Sequence, residues 1–195
     1  MSSRVDAVLA TDPAGFARLV ALQAAFAQAC NALVPTVRES RCWNRVALHH
    51  LMYRQLREAF PRLGSQMVCN AIYSVSRVYR EVATPAGVPL PAVQFLPATP
   101  VFFDRHTLSL QNGHLSMFTL DGRMRFGFDM PAPEAALVAQ GGVREIILLR
   151  HGEQFVLRFV LSEKTATDDL YAELLPTFTV LHTPVEASAD QPCLT

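Results

Sequence analysis

Residues 44–80 read NRVALHHLMYRQLREAFPRLGSQMVCNAIYSVSRVYR, and this stretch decides the fold. It predicts two helices joined by a short turn containing Pro61 and Gly64, with a strand and a supporting helix before it and β-sheet after it. The second helix opens at Ser65, a favourable N-cap after the breaker Gly64. Met67, Val68, Ala71, Ile72, Val75 and Val78 recur along it at the spacing of one buried face. A second pattern runs beside the first. Gln66, Asn70, Tyr73, Arg77 and Arg80 are four, three, four and three residues apart, so at about 100° per residue they share one narrow stripe. Its amides, ring and guanidinium groups are of the kinds that reach phosphate, sugar and base edges or stack on a base. A polar stripe is equally what an ordinary solvated helix face looks like. Glu81, four residues after Arg77, is placed to pair with it.

Outward from this stretch, the helix at about 43–60 buries Leu48, Leu51, Met52, Leu56 and Phe60. It turns His50, Arg54 and Arg57 to another face, with Arg45 and His49 beside them. Adjacent His49 and His50 point about 100° apart on a helix and cannot chelate one ion together. Residues 4–11 alternate as a short strand. Asp12 as N-cap and Pro13 at the first helical position open a helix that runs to about Val34 and ends at Pro35. Its apolar face contains Leu19, Leu22, Phe26, Cys30 and Leu33, with Gln23 as the one polar interruption. TVRESRC at 36–42 reads as a polar connection.

After Val82 the pattern changes. Pro85, Pro89, Pro91, Pro97 and Pro100 exclude a helix and mark 84–100 as a linker. Short runs at 101–104, 107–111, 115–120 and 123–129 follow, separated by turn signals at Asp104-Arg105, Asn112-Gly113 and Asp121-Gly122. A brief helix is expected at 133–140, ended by Gly141-Gly142, and a hairpin at 143–150 and 154–161 turns across His151-Gly152. In its second strand both faces carry apolar residues, which marks it as central. One early strand and about six later ones, with three helices between them, predict an α+β fold built on a small closed β-barrel.

The segments Ala29-Cys30-Asn31, LHHLMYRQLR at 48–57, LGSQMVCNAI at 63–72, VYR at 78–80, VFFDRHTLSL at 101–110 and LSMFTLDGRM at 115–124 occur in this order. Together they resemble the N-terminal half of the TnpB (OrfB) family, transposon-encoded RNA-guided nucleases related to type V CRISPR effectors. The resemblance spans about residues 5–161. It implies an oligonucleotide-binding-like wedge barrel at 4–11 and 93–163, a three-helix recognition insertion at 12–83 after the first strand, and a C-terminal tail at 164–195. It also implies contact with structured guide-like RNA, and with an RNA/DNA duplex, through Arg54, Arg57, Gln66, Asn70, Tyr73, Arg77 and Arg80, with Tyr53 as a second stacking ring. Full-length relatives are lysine-rich, whereas this chain has the single lysine Lys164, so tight, salt-resistant binding is not expected.

The family's RNase H-like nuclease gathers carboxylates around divalent metals and begins just after the last barrel strand. Its first strand ends in an Asp-rich glycine turn; here TFTVLHT at 177–183 is a candidate for that opening nuclease strand, but PVEASADQPCLT follows without an Asp-Leu-Gly-like turn. The expectation is therefore a non-catalytic chain with no metal or cofactor: one subunit of a split effector whose nuclease is a separate polypeptide, or a guide-dependent repressor. A separate nuclease would need an apolar docking patch on the barrel. Other chemistries are not supported either. Asp168-Asp169 and Glu173 read as a surface turn, Ser65 lacks a nucleophile-elbow setting, and Gly141-Gly142 is not followed by the Lys of a phosphate loop.

Half of the residues are hydrophobic and 17% are charged, a globular composition. No apolar run approaches a membrane span and the first residues lack a signal peptide's pattern, so a cytoplasmic protein without membrane contact is expected. Cys30, Cys42, Cys69 and Cys193 have neither zinc spacing nor disulfide density. The zero net charge hides an asymmetry. Residues 1–80 hold ten arginines against four acids, net +6, and the remainder is net −6. Such halves steer a polyanion to one side, or attract each other, so a protein-interaction scaffold or homodimer without nucleic acid is the alternative reading.

Overall fold

The computed structural model describes residues 3–104, 106–111, 114–139, 143–161 and 178–181. In chain order these form β1 (Ser3–Ala10), α1 (Pro13–Ser40), α2 (Arg45–Ala59), α3 (Ser65–Val82), β2 (Ala92–Phe95), β3 (Val101–Phe103), β4 (Leu108–Gln111), β5 (His114–Thr119) and β6 (Gly122–Asp129). α4 (Ala132–Ala139), β7 (Val143–His151), β8 (Gln154–Leu161) and β9 (Phe178–Leu181) follow. Seven strands lie in one sheet in the order β3-β7-β8-β1-β6-β5-β4, with every pairing antiparallel. The end strands β3 and β4 are neighbours in the chain, so the sheet curls into a nearly closed barrel. The fold is thus the expected α+β, oligonucleotide-binding-like barrel with three helices inserted after its first strand. β8 sits between β7 and β1 with both faces largely buried, as its sequence predicts.

α1 starts as expected. Asp12 Oδ1 accepts a hydrogen bond from Gly15 N at 2.6 Å, with Pro13 at the first helical position. A Cβ on Gly15 would stand 3.4 Å from the Phe126 ring, so this turn approaches the barrel as closely as a side chain allows. Phe16 continues the contact, its ring 5.1 Å from that of Phe155. The far end departs from expectation. α1 passes through Pro35 and stops only at Ser40. Pro35 removes one backbone donor, but Val34 and Val37 are buried, Thr36 Oγ1 donates to Met52 Sδ at 3.3 Å, and Arg38 Nε donates to Leu90 O at 3.1 Å. Tertiary packing overrides the breaker, and TVRES is helix rather than connection. By length and composition α1 also matches a membrane span, contrary to the sequence expectation, and here its apolar face lies in the protein core.

Other differences are local. Gly64, not Ser65, takes the N-cap of α3, without a side-chain bond. Leu51, expected in the core, is 56% exposed. The turn signals Asn112-Gly113 and Gly141-Gly142, together with Arg105, Lys164, Asp168, Asp169, Glu173 and Cys193, lie outside the described residues.

The linker expected at 84–100 contains a strand, β2, which pairs with β9 in a separate two-stranded ribbon. Within the candidate strand at 177–183, Phe178–Leu181 is extended and lies beside β2. Helix side chains hold β2 where a neighbouring strand would. Asn31 Nδ2 donates to Phe95 O at 3.0 Å and its Oδ1 accepts from Phe95 N at 2.7 Å, while Tyr79 OH donates to Pro91 O at 3.0 Å. Removing the one side chain that serves both backbone groups of Phe95 leaves their hydrogen bonds to Asn31 unmade. Asn31→Ala is expected to cost about 1–3 kcal/mol in urea unfolding and to accelerate amide exchange selectively at Phe95. Unchanged Phe95 protection would show that the amide pin is not what holds β2.

Candidate nucleic-acid interface

The stripe on α3 does not face solvent as a unit. Its middle is the surface by which α3 docks on the barrel. Asn70 is 8% exposed, and its Nδ2 donates to Phe102 O at 2.7 Å, covering a carbonyl of the end strand β3. Tyr73 meets Phe102 edge-on with ring centroids 6.3 Å apart, and its hydroxyl donates to Glu145 Oε1 at 3.2 Å. Arg77 is 3% exposed. Its Nη1 reaches the same Glu145 oxygen at 3.3 Å, and its guanidinium carbon lies 5.5 Å from both the Tyr73 and the Phe102 ring centroids. The expectation that Asn70, Tyr73 and Arg77 present a nucleic-acid stripe is therefore corrected: their polar groups satisfy the barrel edge and one another. Arg77 pairs with Glu145 on β7, not with Glu81 one turn on.

The remaining site residues scatter. Gln66 is half-buried near the start of α3. Arg54 is exposed on α2 with Glu58 at 3.9 Å, an i,i+4 pair. Arg57 donates to Leu63 O across the α2–α3 turn. Tyr53 stacks on His49 at 4.6 Å, which leaves that ring engaged within its own helix. Arg80, in the last turn of α3, is exposed.

Arg80 instead belongs to a cleft. A hollow of about 450 Å³ is lined by Arg41, Trp43, Asn44, Arg45 and Arg80, and among the described residues no acidic side chain lines it. It forms because two helix ends meet there. Arg41 closes α1 in the left-handed conformation, φ 50°, and Asn44 opens α2, its Oδ1 accepting from Val46 N at 3.0 Å and Ala47 N at 3.1 Å. Ser76 Oγ ties the wall to α3 by donating to Trp43 O at 2.6 Å. Arg41 donates to Val88 O at 2.6 Å, Thr84 O at 2.8 Å and Pro85 O at 3.1 Å, all neutral acceptors, so its charge is not cancelled. Arg45 lies 5.1 Å from the Tyr73 ring centroid. The cleft is thus lined by three arginines and an indole, where the N-terminus of α2 meets the C-terminal ends of α1 and α3; the arginines counter the negative dipole ends of α1 and α3. Sequence reasoning took only Arg80 of this group as a site residue. The signal available was Asn44, a strong N-cap directly followed by Arg45.

Among the described residues no group of three or more His, Cys, Asp or Glu side chains is arranged to hold a metal ion. Burial pushes the Cys30 thiol well above its ordinary range, which keeps it protonated and unreactive, and burial raises the Cys69 thiol as well. Comparison with protein-family models gives no match, and comparison with curated proteins gives none.

Breaking a buried ion pair from one side leaves an uncompensated charge. Arg77→Ala is expected to lower the stability by about 3–5 kcal/mol in chemical unfolding, whereas the double change Arg77→Met with Glu145→Leu recovers most of that loss. If Arg77→Ala unfolds at the wild-type denaturant concentration, the docking role fails.

Proposed function

We propose that this chain is a non-catalytic nucleic-acid-binding module of the kind formed by the wedge and recognition half of TnpB-like proteins, and that it holds structured RNA or an RNA/DNA duplex in the cleft between α1, α2 and α3. One observation carries this reading: Arg41, Arg45 and Arg80 line a single concave surface with Trp43, and among the described residues no carboxylate lines it. Guanidinium groups there neutralise phosphates, and the indole offers a stacking surface. The resemblance in residues 48–57, 63–72 and 101–124 supplies the class of ligand.

The chain acts as a binder by itself in this reading. A docked nuclease would need an apolar patch on the barrel, but Val8 on β1 and Phe118 on β5 are the large apolar side chains that the described barrel strands leave exposed. Their partners on β6, Asp129 and Arg123, are six residues apart, about 20 Å along a strand. A specific observation favours a second reading, the interaction scaffold or homodimer: Val46 and Leu51 are 64% and 56% exposed on α2. Its signature is a dimer that Leu51→Glu dissociates, without RNA retention.

Each phosphate contact removed lowers the slope of log K against log salt by about 0.7–0.9. The double variant Arg45→Gln, Arg80→Gln is expected to bind an RNA hairpin at least about tenfold more weakly and with a salt slope shallower by about 1.4–1.8, at unchanged thermal stability. Fluorescence anisotropy across a potassium chloride series measures both. Wild-type affinity and slope in the variant would remove the cleft from the proposal.

A further inference from the structure

The outward face of the β4–β5–β6 meander carries a feature that the cleft does not use. Inward positions Leu115, Met117 and Phe126 fill the barrel core. By the alternation of strand side chains, Ser109, His114, Ser116, Phe118, Arg123 and Arg125 point the other way. Phe118 stands out there as an aromatic ring, 38% exposed, on an otherwise polar face. It lies directly opposite Arg123 in the β5–β6 register, and the guanidinium carbon is 4.5 Å from the ring centroid.

Arg123 is held in that position by neutral acceptors. It donates to His106 O at 3.0 Å, Ser116 Oγ at 3.2 Å, Ser109 Oγ at 3.3 Å and Ser116 O at 3.4 Å. No carboxylate takes part, so the positive charge is fixed in place and not cancelled. The nearby Asp121 at the hairpin tip is occupied by Arg18 and Arg62 from the helical insertion. Arg125, exposed opposite Ser116, adds a second cation, about 7 Å from Arg123 along the strand. Arg123 covers one face of the ring, and Ser109, Ser116 and Gly127 keep the surrounding surface low, so a planar group would meet the ring's remaining exposed surface.

We infer that this sheet face is a second binding surface, for single-stranded nucleic acid, in which an unpaired base stacks on Phe118 and the flanking phosphates meet Arg123 and Arg125. A shallow sheet face with a ring and ordered cations suits an unstacked strand, because a paired base offers no free face to the ring. The surface is separate from the cleft. Asp121 touches Arg62 beyond the C-terminal end of α2, while the cleft lies at its N-terminal end, and the fifteen residues between span about 22 Å. The inference goes beyond the cleft reading and shares with it only the class of ligand.

The test uses the full chain and two probes, a fluorescein-labelled decauridine and an RNA hairpin whose short loop has its bases stacked on the stem, together with a decamer carrying one 2-aminopurine. Wild type is expected to bind decauridine and to quench 2-aminopurine. Phe118→Ala should lose the quenching and about tenfold in decauridine affinity, Phe118→Tyr should retain both, and Arg125→Gln should flatten the salt dependence. Hairpin binding should be unchanged in all three. Failure of wild type to bind decauridine, or wild-type binding by both Phe118→Ala and Arg125→Gln, overturns the inference. The two readings fail separately: loss of hairpin binding in the Arg45, Arg80 variant supports the cleft whatever Phe118 does, and decauridine binding that needs Phe118 supports the sheet face whatever the cleft does.

Discussion

Arg77 is the constraint on which the rest of the arrangement depends. A guanidinium taken out of water is costly unless its charge and its donors are met. Here the partners come from two units: Glu145 and Phe102 from the barrel, and Tyr73 from the helix itself. A rotation or one-turn slide of α3 along β3 would separate the cation from Glu145. The buried pair therefore fixes the seating of the helical insertion, while apolar contacts between α1, α2 and α3, which tolerate small displacements, supply most of the burial. Asn70 works in the same direction, since its bond to Phe102 O closes the exposed edge of the end strand.

This seating decides which cations remain for a ligand. Arg77 is spent on Glu145, Arg54 on Glu58, and both Arg18 and Arg62 on Asp121. Arg57 bonds a carbonyl of the α2–α3 turn. A net +6 for residues 1–80 thus overstates the basic surface. Of the arginines that meet no carboxylate, Arg38 and Arg57 also bond carbonyls elsewhere, while Arg41, Arg45 and Arg80 line one hollow at the junction of α1, α2 and α3. A stripe and a cleft have the same chemistry in a list of residues and opposite meanings in space.

The legible part of the chain is the part governed by local periodicity. Three helices and the barrel strands follow from spacing 3.6 or 2 and from turn residues such as Asp121-Gly122, and Asp12-Pro13 fixes the start of α1. The illegible parts depend on partners far along the chain. Pro35 is tolerated because Val37 is buried and Arg38 reaches Leu90. β2 forms in a proline-rich linker because Asn31, 64 residues earlier, satisfies Phe95. The α3 stripe was readable as a stripe, but a helix buried on two faces shows the same spacing as one buried on one face. Only the aromatic ring among its amides and arginines pointed toward packing. Phe118 was hidden for the opposite reason: in a strand, one exposed apolar position looks like any other in the alternation.

Arg41 shows how a structural arginine and a ligand-binding arginine differ. Its left-handed backbone, φ 50°, costs a non-glycine residue about 1–2 kcal/mol. Three hydrogen bonds from its guanidinium to the carbonyls of Thr84, Pro85 and Val88 offset that cost by ordering the return loop. Glycine would adopt the same backbone without strain and would lose the loop. Arg77 spends its charge on a carboxylate, so it holds the fold and offers nothing to an anion. Arg41 spends only its donors, on neutral oxygens, and the charge stays at the cleft wall. The same side chain therefore builds the hollow and makes it positive, which is why the cleft, and not the stripe, carries the binding proposal.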